Sequence, residues 1–389
     1  MSFSFCQSRL LKGALVAVFA TLTIACSNDK AVDPPAELVD IKPTLKVDKL
    51  WSESLDGKGD RLRLALQPSI VDGVVYAASH KGEVNAFSAD KGKRIWRVKT
   101  KLPLSAGPSV ADGLVVIGAS DGQLIALDAA TGQEKWRHQM SGEVLAKPLI
   151  AQGVVVVRTV NGRLQALNAV DASPKWAAEE PVPKLTLRGT AAPVLAGTSV
   201  VTGFDNGKLV AVDLATGDAV WNVTIDTASG RTELDRLADL DATAAASGRD
   251  VFAVGFQGRL TMLEIESGQI WWAKDVSSYR GFGLDDTVLY LSQSNGMIIA
   301  VRRTDGAQQW EQNGLHQRGL TAPAVNGDNL IVGDYEGYVH WLNKADGTIA
   351  ARAKTDGDRI SNAPVVADGR VFVQTDGGKL IVFQTKPIG

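Results

Sequence analysis

Cysteine is almost missing from this 389-residue chain: Cys6 and Cys26 are the only two, and both lie within the first 26 residues. Everything that follows them lacks a thiol for a disulfide, a nucleophile or a thiolate metal site. Histidine is nearly as scarce, and His80, His138, His316 and His340 are too scattered to suggest a zinc centre. Methionine falls to four residues while glycine reaches 39, the balance of a turn-rich β protein. There is no excess of positive charge: 41 basic and 43 acidic residues leave a net −2, so nucleic acid is not an expected partner. Disorder is excluded by a hydrophobic fraction of 45%.

No apolar run reaches the roughly twenty residues needed to cross a hydrocarbon core. The nearest is Ala14 to Ile24, preceded by Arg9 and Lys12 and followed by Ala25 and Cys26. A basic start and a short apolar stretch make a secretory signal over residues 1–25. Leu22-Thr23-Ile24-Ala25-Cys26 is similar to a bacterial lipobox, which implies diacylation of Cys26 as the mature N-terminus, although Thr23 stands where that pattern usually has Leu. Several acyl chains on one residue would anchor the chain stably. A polar, proline-containing tether is expected over residues 26–46, with the folded body over 47–389. Removal of the signal takes the net charge from −2 to −4.

Beyond residue 60 the chain is dominated by an internal repeat. Its clearest copy, Pro108 to Trp136, alternates short β-branched runs with Asp-Gly and Thr-Gly turns, the pattern of consecutive hairpins. A central turn glycine recurs at Gly82, Gly122, Gly162, Gly207, Gly258, Gly296, Gly337 and Gly378, at intervals of 40, 40, 45, 51, 38, 41 and 41. Eight units of about four strands predict an all-β fold, an eight-bladed β-propeller of four-stranded antiparallel blades, because a closed ring protects sheet edges. Fourteen residues after each glycine stands a landmark: Trp96, Trp136, Trp176, Trp221, Trp272, Trp310, then Ala351. The eighth would fall at position 392, whereas Leu50-Trp51-Ser52-Glu53 is a spare strand ahead of the first unit. The ring is therefore expected to close by this N-terminal strand joining the last blade. One tryptophan per blade in a fixed slot points to packing between blades; Trp271 and Trp341 fall outside the slot and are expected to face a surface or the channel.

With that distance constant, length varies only between one blade's outer strand and the next blade's inner strand. Two neighbouring connections are enlarged, around residues 177–190 and 223–243, and both should open on the face bearing the turn glycines. Loops on a rigid scaffold are the usual carriers of binding function. The first contains Pro181-Val182-Pro183-Lys184-Leu185-Thr186-Leu187-Arg188-Gly189, where Leu185 and Leu187 alternate onto one side beside Arg188. Apolar residues with an arginine suit an interface anchor. The second contains Asp239 and Asp241, also on one side. Two readings stand together: an exposed docking surface, and an internal pairing of Arg188 with the aspartates over buried leucines. A glycosidase pair or a calcium site is not supported by any complete motif.

Ala126-Leu-Asp-Ala-Ala-Thr-Gly-Gln-Glu-Lys-Trp136 resembles the PQQ-type propeller repeat. The enzymes of that repeat class hold their quinone with a vicinal cysteine pair, calcium and a catalytic aspartate; the missing cysteines argue against such a site, and no cofactor, metal or catalytic residue is expected. The whole chain, from lipobox to both long loops, resembles the BamB family, propeller lipoproteins of the outer-membrane β-barrel assembly machinery. The segments 185–189 and 236–243 match the loops by which that family contacts a POTRA domain of BamA. The resemblance implies a partner site of Leu185, Leu187, Arg188, Asp239 and Asp241, the aspartates serving as contacts or as loop geometry. It also implies a non-catalytic scaffold on the periplasmic face of the outer membrane, bound to BamA and other assembly-complex subunits and assisting unfolded outer-membrane β-barrel proteins. The alternatives are a periplasmic quinoprotein enzyme and a ligand-sensing propeller.

Overall fold

The computed structural model describes residues 33–56, 64–189, 191–226, 232 and 237–388. Cys26 and the proposed signal lie outside the described residues. Those described form 32 strands and no helix. The strands group into eight four-stranded antiparallel sheets, one for each repeat identified in the sequence. Blades one to seven are each built from four consecutive strands. Blade eight takes three strands from the C-terminal end and its outermost from Leu45–Ser54, paired antiparallel with Lys379–Pro387. The ring thus closes as the repeat arithmetic requires.

Within a blade the middle strands are buried on both faces and the outer strand on one. In blade one, Val74–Ala78 and Glu83–Ser88 are almost wholly buried, whereas in Arg94–Lys99 Trp96 alone is fully buried. The outer strand carries a bulge just before this tryptophan, with Ala86 opposite Trp96 and Phe87 opposite Arg94. The same register shift recurs in the other blades. A bulge leaves one residue unpaired and turns it out of the ladder. Trp271 holds that place in blade five and is 56% exposed, facing the surface as expected.

Each slot tryptophan reaches the following blade. The indole N–H of Trp96 donates to the Ala129 carbonyl (2.9 Å), Trp136 to Ala169 (2.9 Å), Trp176 to Leu214 (2.9 Å) and Trp221 to Ile265 (2.9 Å). Trp272 and Trp310 continue the series to Arg303 (2.8 Å) and Lys344 (3.0 Å). Trp51, from the closing strand, completes it by donating to Ala89 of blade one (3.0 Å). The turn residue beneath the ring is glycine at six of these seven junctions: a Cβ on Gly92 would lie 2.6 Å from Trp51 Cε3, and its φ is +67°; beneath Trp136 the place is held by Ala172, itself at a φ of +59°. Burying an indole removes on the order of 200 Å² from water, an upper-bound gain of about 5 kcal/mol per blade junction.

Blade seven inverts the arrangement. In five blades an alanine on the third strand faces the slot tryptophan, as Ala126 faces Trp136; here Trp341 lies on the third strand and faces Ala351 in the slot. The expectation that Trp341 faces a surface or the channel is corrected: it is 0% exposed, edge-on to Phe383 at 5.7 Å. From that strand its indole Nε1 finds no acceptor.

Ahead of the closing strand the chain already lies on the body. Ala36 N–H donates to the His316 carbonyl (2.9 Å), and its own carbonyl accepts from Arg318 (3.0 Å). Farther along, Arg352 donates to Val39 (3.1 Å) and Thr44 N–H donates to Ala350 (2.9 Å). The tether end read at residue 46 falls within the closing strand.

Candidate functional site

The two long connections lie side by side on the face of the turn glycines. Gly162 packs against Glu180 and Val182, and Gly207 against Asp226 and Ala238. In the second connection residues 227–231 and 233–236, Arg231 and Arg236 among them, lie outside the described residues. The two connections are tied together directly, because Ala192 N–H donates to Thr243 Oγ1 (3.1 Å).

The residues singled out in the sequence separate into two layers. On top is the segment Pro181 to Arg188. Leu185 is 43% exposed, Leu187 is half-buried and the Arg188 side chain is exposed. Beneath it Asp239 is 1% exposed and Asp241 7%. They share one side, as their alternation requires, and that side faces inward. Leu240 between them fills the space left by Gly203 on blade four. At this depth the two carboxylates underlie the segment Pro181 to Arg188.

The lower layer is a buried charge cluster. Arg158, at the end of the strand Val154–Arg158, pairs with Asp205 of blade four at 2.6 Å, both fully enclosed. Its guanidinium also lies over the Phe204 ring, 5.2 Å from the centroid. Carboxylate oxygens of Asp205, Asp239 and Asp241 lie within 4.8 Å of one another. Such a group could hold a metal ion, but the positive charge next to it is already supplied by Arg158. An unpaired buried charge is far costlier than a paired one, which is why the cation sits here. Burial pushes the Asp239 carboxyl up to about 6; the Leu187 N–H opposes this, Asp205 adds to it, and Arg158 opposes it.

The upper layer rests on the lower through backbone. Leu187 N–H donates to Asp239 Oδ2, which fixes the loop between the two leucines. Arg188 has a left-handed φ of +61° and donates its N–H to Thr186 Oγ1 (3.0 Å). Gly189 then passes directly over the carboxylates, where a Cβ would lie 2.5 Å from Asp205 Oδ1 and 2.6 Å from Asp241 Oδ1. The pairing of Arg188 with the aspartates, kept open from sequence, does not occur. Arg188 instead pairs with Glu143, on the preceding connection. Nor are both leucines buried.

Arg158, Asp205 and Glu143 were not singled out in the sequence. Asp205 passed as an ordinary turn acid ahead of Asn206-Gly207. Arg158 did carry a signal. The equivalent place in the other blades holds Ala78, Gly118, Gly203, Val254, Ser292, Gly333 and Gln374, so an ionisable residue there is an exception needing a partner.

A family model described as "Outer membrane protein assembly factor BamB" matches residues 80–312 and 305–386. The outer membrane protein assembly factor BamB of Pseudomonas aeruginosa is 45% identical over 374 residues, covering 96% of this chain and 98% of that protein. The crystal structure of BamB from Moraxella catarrhalis superposes with a TM-score of 0.80 at 29% identity, covering 87% of this chain and all (100%) of that one. Quinohemoprotein alcohol dehydrogenase from Comamonas testosteroni superposes with a TM-score of 0.68 at 16% identity, over 87% of this chain and 76% of that one. At that identity the likeness is one of fold alone.

Proposed function

Because the chain belongs to the BamB family of outer-membrane protein assembly factors, we propose that it is a non-catalytic scaffold which docks a POTRA domain of BamA and so assists the folding and insertion of outer-membrane β-barrel proteins. It works as a lipoprotein held through Cys26 at the periplasmic face of the outer membrane, among the other subunits of the assembly complex, and uses no cofactor. The observation that carries this reading is the two-layered loop. Leu185 and Arg188 are presented outward with Leu187 beside them, on a support of buried charges bonded to the loop backbone. A preorganised loop loses little entropy on binding, so its apolar and arginine contacts convert efficiently into affinity. Leu185 and Leu187 supply burial, and Arg188 the polar anchor. Asp239 and Asp241 act beneath them as positioning residues.

The exposed pair of Arg188 with Glu143 contributes at most about 1 kcal/mol, so a partner carboxylate can displace Glu143 at little cost. The test is co-purification of the mature chain with BamA after Arg188→Glu. Loss of BamA with an unchanged unfolding midpoint is the expected result; full retention would remove Arg188 from the interface.

A further inference from the structure

The docking loop borders something larger than itself. A pocket of about 90 Å³ opens between Leu187 and Arg188 on one side and Tyr279 and Arg280 on the other, with Leu64 and Asn362 also in its wall. These residues come from the connections into blades four, six, one and eight, so the pocket spans the mouth of the central channel. Below it a chamber of about 310 Å³ shares Tyr279, Arg280 and Asn362 with the pocket and reaches down to Lys147. Tyr279 and Arg280 are held rigidly. The Tyr279 ring stands edge-on to Phe256 at 6.0 Å, the Arg280 guanidinium lies over it at 4.9 Å, and Arg280 Nη1 donates to the Ser361 carbonyl (3.3 Å).

Building on the docking reading above, we propose that the partner surface runs from Leu187 and Arg188 across the channel mouth onto Tyr279 and Arg280, that an acidic side chain of the docked domain enters between the two arginines, and that docking thereby closes the channel from this face. Three features carry this. The pocket is continuous with the docking loop, since both arginines and Leu187 line it. Two guanidiniums line it, and the planar fork of arginine suits a carboxylate. Tyrosine and arginine in a preformed setting are the residue types on which binding energy concentrates.

The chamber supplies an independent reporter. Lys147 Nζ donates to Ser69 Oγ (2.9 Å), and burial pushes its amine down to about 8. Burial favours its neutral, nucleophilic form, so its acylation reports whether reagent can enter the channel.

The experiment titrates the full mature chain with the periplasmic region of BamA. Tyr279→Ala and Arg280→Gln are expected to weaken binding at least tenfold each without lowering the unfolding midpoint by more than a few degrees. Asn362→Trp, which fills the mouth from its far wall, is expected to do the same. Neutralising the entering acid on the partner should reduce the effect of Arg280→Gln. Acylation of Lys147 by acetic N-hydroxysuccinimide ester, followed by mass spectrometry, should slow at least fivefold in the complex. Unchanged affinity in all three variants, with Arg188→Glu still abolishing binding, overturns the extension and leaves the docking loop standing. Unchanged acylation overturns the closure. Binding that survives Arg188→Glu brings down the docking reading itself.

Discussion

Asp239 accepts the backbone N–H of Leu187 from 52 residues farther along the chain, and this bond joins the two enlarged connections just ahead of the left-handed residue Arg188. It makes a buried carboxylate responsible for the shape of an exposed loop, which separates the geometry of the site from its contacts.

Replacing Asp239 tests that separation. Asp239→Asn keeps an oxygen acceptor for the Leu187 N–H and should leave affinity for BamA within about threefold. Asp239→Ala orphans that N–H, a loss of roughly 1–3 kcal/mol in local order. It should weaken binding at least tenfold, as read by titration calorimetry.

The same carboxyl links stability to pH. It titrates at 3.8 when unperturbed and at about 6 in the folded chain. The folded form therefore holds a proton that the unfolded form has lost, so this contribution to stability is complete below about pH 4 and disappears as pH rises through 6. Between pH 5 and pH 7 the wild type should lose roughly 1 kcal/mol relative to Asp239→Asn. Urea unfolding of both proteins at the two pH values measures the difference, and parallel curves would show that Asp239 is not the group responsible.

Gly189 crosses the carboxylates without room for a methyl group. Gly189→Ala should lift the loop, costing about 1–3 kcal/mol of stability by overpacking, and reduce BamA binding more than its effect on the unfolding midpoint would suggest. Thermal unfolding and binding measured on the same preparation separate the two effects.

The inverted pair in blade seven predicts a contrast between two conservative changes. Trp136→Phe removes an indole donor bonded to Ala169, whereas Trp341→Phe removes an N–H that has no acceptor. Despite the deeper burial of Trp341, its replacement by Phe should be the milder by about 1 kcal/mol, as equilibrium unfolding would report.

Periodicity made the ring legible before any coordinates. The constant spacing from turn glycine to tryptophan located each outer strand, and the spare Trp51 located the seam. Trp341 escaped because spacing along the chain identifies a slot but not which of two facing strands fills it; the volume between blades seven and eight is satisfied from either side. At the candidate site, alternation placed Asp239 and Asp241 together, yet a period of two does not say which side is the interior. The partner of Arg188 stayed open for a related reason. Glu143 belongs to a connection of ordinary length, and loop length was the property that drew attention to the other two. Arg158 shows what comparison among the blades adds: a charge in a place otherwise held by mostly small or uncharged residues announces a buried partner.

The seam between Leu45–Ser54 and Lys379–Pro387 has a consequence for how the molecule is made. A chain delivered N-terminus first must wait for its last residues before the first strand has anything to pair with. Bringing segments more than three hundred residues apart together carries an entropic charge that grows only logarithmically with separation, so the delay is one of timing more than of energy. The seven earlier blades can stack while the first strand still waits for its partner, and sealing comes last. Any cut or bulky tag near residue 387 therefore acts at the opposite end of the chain, loosening the strand Leu45–Ser54.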